Sequence, residues 1–225
     1  MRRSILIATA STFALLAAAM QLHVQAQAVA PPPATGQVAD EVDMQALSKE
    51  LAGEAKRLQD DTLRRLDELG KLEKSLQDKQ RDTASAKQNV DALIKLLRDA
   101  ADRLAPDNAY RKTLKAEEDI IRGLARDAEA SPDPELRKMI PQYRGNLADI
   151  GSMQEEAEGL RTRLTAQIDR LVRLRERMEH MWAASQIDAF IKDARAYLDH
   201  MKAIADGTQN LANGLDSFGR SPMTN

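Results

Sequence analysis

The sequence has no cysteine, and that absence removes more chemistry than any other single feature. It excludes disulfides, thiolate nucleophiles, cysteine-ligated metals and a lipidated cysteine at a processed N-terminus. It also suits an oxidising compartment. Aromatic residues are nearly as scarce, at 3% of 225 positions: one Trp, three Tyr and three Phe. A β-rich enzyme core draws heavily on aromatic and β-branched side chains, so no such core is expected. Glycine (10) and proline (8) are few and clustered, which leaves long tracts without a helix breaker.

Neither sign of charge prevails. Thirty-three basic residues stand against 35 acidic ones for a net charge of −2, which becomes −4 if a leader carrying Arg2 and Arg3 is removed. A balanced chain gives no global reason to expect nucleic-acid binding, and stacking aromatics are missing. Only three histidines occur, too few for a Ser-His-Asp arrangement. Glu176 and His180, one helical turn apart, offer two metal ligands where zinc needs three or four. Carboxylates at Asp60-Asp61 and Glu117-Glu118-Asp119 are adjacent in sequence and so point apart on a helix, which makes poor acid/base dyads. There is no phosphate-cradling glycine loop, nucleophile elbow or metalloprotease motif. The expectation is a non-enzyme without cofactor or metal.

What is present is the Ala, Leu, Glu, Lys and Arg mixture of long helices and coiled coils. The chain opens with Arg2-Arg3 and an uncharged, mainly apolar run over 5–20, the layout of a secretory signal. Small residues at Val24-Gln25-Ala26 and Ala26-Gln27-Ala28 supply alternative cleavage sites, and the arginine pair loosely resembles a twin-arginine signal. The apolar run falls short of the roughly 20 residues that span a bilayer. Residues 1–26 are therefore expected to be a cleaved signal and 27–39, with Pro31-Pro32-Pro33, a stiff linker. The expected location is periplasmic or secreted.

From 40 to 104 no proline interrupts the chain, and apolar positions recur every three or four residues, for example Leu51, Leu58, Leu69, Leu93, Leu97 and Leu104. A stronger stripe runs over 147–204, including Leu160, Leu164, Ile168, Leu171, Leu174, Met178, Met181, Ile187, Ile191 and Leu198. Ala105-Pro106-Asp107-Asn108 ends the first long helix, with Pro106 suited to the opening turn of a shorter helix that runs to about 130, and Asp133 with Pro134 starts another. The last long helix is expected to begin near 142 or at Ser152, and to end near Gly207 with a loosely ordered tail. The predicted fold is all-α: an antiparallel coiled-coil hairpin of helices 40–104 and 145–206, with helix 107–130 between them forming a three-helix bundle in the middle or standing apart. In that hairpin residue i faces roughly 249 − i. The run 77–89 is polar, so the first helix is either locally unpacked or bent there. The richest apolar segment, 160–178, would oppose 73–86, and a third element (helix 107–130) or a second chain has to cover it.

That same segment carries Arg161, Arg163, Arg170, Arg173, Arg175 and Arg177, with only Asp169 and Glu176 among them. The arginines offer an anion-binding face for lipid headgroups, cell-wall polymer or an acidic partner. The ordinary alternative is a solvated flank partly paired with Glu117, Glu118 and Asp119. With Leu164, Ile168, Leu171, Leu174, Met178, Met181 and Trp182 they make the candidate interaction surface. The expected function is an exported, non-catalytic coiled-coil scaffold, spacer or adaptor of the bacterial cell envelope, working through a protein partner or self-association. Two alternatives are a holdase-type chaperone using Leu/Met-rich faces and a membrane-active effector using the arginine-rich helix.

Overall fold

A computed structural model describes residues 44–78, 83–178 and 184–219. Every element among them is helical: α1 (Met44–Asp78), α2 (Thr83–Arg103), α3 (Ala109–Ala130), α4 (Pro134–Lys138), α5 (Ile140–Arg177) and α6 (Ala184–Gly219). The all-α class expected from the periodicity is what the chain adopts. The expected signal, linker and last six residues lie outside the described residues.

The number of long segments differs from the expected hairpin, because each long stripe is folded in two. α2 returns antiparallel along α1: Asn89 Nδ2 donates to Ser75 Oγ (3.5 Å), Arg65 lies 3.7 Å from Asp99, and Arg103 Nε lies 2.9 Å from Asp61. α6 returns in the same way along α5, where Gln167 Nε2 donates to Asp193 (3.4 Å) and Thr208 Oγ1 lies 3.6 Å from Met153 Sδ. The two hairpins then pack side by side, α1 on α6 and α2 on α5. Cross-pairs fix the register. Glu73, expected opposite residue 176, ion-pairs with Arg195 at 2.7 Å; Asp91, expected opposite 158, holds Arg175 at 2.6 Å.

The reason lies in the polar run 77–89. A single 65-residue helix would force that run into an apolar seam. Reversing the chain between α1 and α2 avoids this, and brings Val90, Leu93, Ile94 and Leu97 onto the stripe of α5. The segment that lacked a cover is now enclosed within one chain by α2 and α6: Leu160 and Leu171 are 0% exposed and Leu174 only 8%.

Three positions of the resulting four-helix bundle are single helices of roughly 50–57 Å, from 35, 38 and 36 residues at about 1.5 Å each. The fourth is made of α2 and α3 in series. α3 continues antiparallel to α5, with Arg111 3.5 Å from Glu158, Gln154 donating to Glu118 (3.1 Å) and Arg144 to Glu129 (2.8 Å). Between the two pieces Pro106 has no N–H to donate, and tight turns link Leu104 N to Ala101 O (3.1 Å) and Asn108 N to Ala105 O (3.0 Å). Asn108 then caps α3 by accepting from Tyr110 N. Leu104 and Tyr110, both 0% exposed, keep the core continuous across this break.

Two boundaries also move. α5 begins at Ile140, with Pro141 tolerated in its first turn, ahead of the expected start. α6 does not end near Gly207 but runs through it and Gly214 to Gly219. Each glycine costs about 1 kcal/mol of helix propensity, whereas fully burying a leucine contributes about 1.5–3 kcal/mol. Leu211, Ala212 and Leu215 are buried, so packing decides and the expected tail is helix as far as Gly219.

Candidate anion-binding groove

On α5 the arginines divide by the neighbour each one meets. Arg161 pairs with Glu158 one turn back (3.2 Å). Arg175 faces α2 and grips Asp91 with two nitrogens, at 2.6 and 3.1 Å. Arg163 faces α6 and donates to His200 Nδ1 at 3.1 Å. A guanidinium cannot accept, so this bond places the ring proton of neutral His200 on Nε2, the nitrogen 3.8 Å from Glu156. Arg177 Nε donates to the backbone carbonyl of Arg173 (3.1 Å). Among the described residues no carboxylate comes within ion-pair distance of Arg170, Arg173 or Arg177.

Those three stand at i, i+3 and i+7, one face over two turns of α5. They line a groove of about 350 Å³ together with Leu174 of the same helix and with Ala189 and Phe190 of α6. The antiparallel return of α6 creates this groove: Gln167 meets Asp193, so the residues one turn nearer the hairpin end, 189 and 190, come beside Arg170. Phe190 is half-buried and Ala189 exposed, which leaves a small apolar floor next to three fixed positive charges. An arginine keeps its proton at any ordinary pH, so this repulsion cannot be relieved by deprotonation.

The expected pairing of the arginine run with Glu117, Glu118 and Asp119 does not occur. Glu118 is taken by Lys115 and Arg122 and receives Gln154, and Asp119 is taken by Lys115. The register of α3 sets these acids beside 154–158, more than two turns short of Arg170. The candidate surface likewise splits in two. Leu164, Ile168, Leu171, Leu174 and Met178 are core residues, while the arginines alone face outward. Met181, Trp182 and His180 lie outside the described residues. Ala189 and Phe190 carry no signal of their own in sequence, because only the reversal after α5 brings them into the groove.

Glu117 is the other unexpected residue. It is 0% exposed, and neither carboxylate oxygen has a hydrogen-bond partner. Desolvation, with a smaller contribution from nearby Glu50, pushes its pKa up to about 7. The sequence did hold a cue: the stripe of α3 through Tyr110, Leu114 and Ile121 passes through position 117. Tyr110, close by in the same core, is raised to about 12 by burial, and its hydroxyl meets Thr208 Oγ1 at 2.9 Å.

Among the described residues no group of three or more His, Asp and Glu side chains could hold a metal ion, and no helix is long and apolar enough to cross a membrane. No protein-family model matches the chain, and none of the curated proteins or solved structures compared with it matches either.

Proposed function

We propose that this chain is a non-catalytic interaction protein of the bacterial cell envelope, a helical bundle that docks an anionic partner in the α5/α6 groove. The observation that carries this reading is the set Arg170, Arg173 and Arg177, gathered in one groove without a carboxylate partner where most other described arginines reach one. The leader-like segment over 1–26 supports export, and the length of the bundle suits a spacer or adaptor. The chaperone alternative has less behind it. Among the described residues the one large hydrophobic side chain that is exposed is Leu63, and Met178 and Met201 are buried.

Photo-crosslinking in cells tests the proposal. A reactive residue at Ala189 is expected to capture a discrete species from the envelope fraction, and one at Ala116, exposed on α3, is expected not to. Identical capture from both positions, or retention of the chain in the cytoplasm, would count against it.

A further inference from the structure

Granting that the groove is the docking site, we infer that its ligand is a phosphate-class oxyanion attached to an uncharged body. The charge count comes first. Three guanidiniums, none of which can deprotonate and none of which is neutralised by a carboxylate among the described residues, lie on one face within two turns of α5. A carboxylate satisfies one guanidinium fork. A tetrahedral phosphate presents oxygens in several directions and carries up to two charges, so it can engage three forks together.

The second argument is the other wall. Ala189 and Phe190 of α6 present aliphatic and aromatic surface across from the arginines, with the buried Leu174 of α5 between them. A ligand filling the groove therefore places its charge on α5 and an uncharged part against α6. A continuous polyanion fits less well, because the cationic stretch is short. Toward Arg163 it meets Asp193, which is exposed and accepts from Gln167, and Asp169 stands one turn from Arg173. The same chemistry can come from a phospholipid surface or from a soluble phosphate ester.

The full-length chain is titrated with inorganic phosphate and phenyl phosphate by calorimetry, and with mixed phosphatidylglycerol–phosphatidylcholine vesicles by co-sedimentation. Salt-sensitive binding of at least one probe is expected. The triple variant R170Q/R173Q/R177Q is expected to lose at least about tenfold in affinity, with helicity and thermal midpoint unchanged. R175Q, whose parent side chain is engaged with Asp91, is expected to bind like the wild type. F190A should weaken phenyl phosphate more than inorganic phosphate. Binding to vesicles alone identifies a lipid headgroup, and binding of phenyl phosphate identifies a soluble ester. Failure of all three probes, or equal binding by the folded triple variant, overturns the phosphate assignment. A discrete crosslink from Ala189 that survives such a failure would leave the docking reading standing with another ligand class, and loss of that crosslink would remove both.

Discussion

The two ends of the bundle spend their polar residues in opposite ways. Where α2 packs on α5, the interior is mostly aliphatic, with Val90, Leu93, Leu97, Leu171 and Ile191 buried around a few polar side chains (Thr62, Arg65 and Gln167). No carboxylate among the described residues is buried there, and Arg170, Arg173 and Arg177 stand outside without a carboxylate partner. Where α3 takes over, the surface charges are mostly paired and the interior holds the buried carboxylates: Glu117 without a partner and Glu54, with Ser48 also buried and Tyr110 bonded to Thr208. Unsatisfied charge costs little in water and much in a core. The α2 end is therefore expected to be the stable end with a reactive surface, and the α3 end the weaker one.

The largest effect should come from the aliphatic end. Leu171→Ala removes a wholly buried side chain and is expected to destabilise by about 3 kcal/mol, measured by urea unfolding. A loss under 1 kcal/mol would mean that this end is not tightly packed, and would erase the contrast.

Glu117 comes next. Its folded pKa, at about 7, lies above the value near 4.5 expected in the unfolded chain, so the folded state holds the proton more tightly. Stability is then expected to fall as pH rises from about 4.5 to about 7, and to level off above that. Glu117→Gln should remove this slope and add about 2 kcal/mol at pH 8 while changing little at pH 4. A wild-type protein whose midpoint is flat across that window would show that Glu117 finds a partner in solution.

Tyr110→Phe deletes the hydroxyl that ties α3 to α6 and leaves Thr208 still bonded to Ile204 O at 2.8 Å. A loss of about 1 kcal/mol is expected, checked by thermal unfolding at neutral pH. The smallest effects belong to the arginines. Arg175→Ala breaks a half-exposed pair and should cost under about 1 kcal/mol. Arg173→Gln should be neutral, or stabilising by a few tenths of a kcal/mol at low salt, through relief of like-charge repulsion. A clear destabilisation by Arg173→Gln would mean that its charge serves the fold and not a ligand.

Much of this was legible in sequence. Most core residues of α5 and α6 are those of the stripe over 147–204, with Tyr143, Ala205, Leu211, Ala212 and Leu215 outside it, and the cap at Asp133 stands where the chain signals it. The polar run 77–89 and the mismatch it produced marked the place where a simple hairpin fails. That run allowed a bend in the first long helix, but neither a full reversal there nor the one after α5 was legible. The stripe over 160–178 and 187–204 keeps its three/four spacing across 178–184, so periodicity gives no sign that the chain turns there. Nor could the groove be read, since Ala189 and Phe190 of its lining come from α6.

By itself, then, the sequence determined that the chain is helical, which faces are apolar, and that one helix is crowded with arginine. These are local properties, carried by spacing and side-chain type. The tertiary structure decided which faces meet, and with that which charges find partners. Arg175 and Arg173 are two residues apart, yet one points at Asp91 on α2 and the other into open groove. A helix rotates about 100° per residue, so neighbours in sequence face different surroundings, and only the packing says what those are.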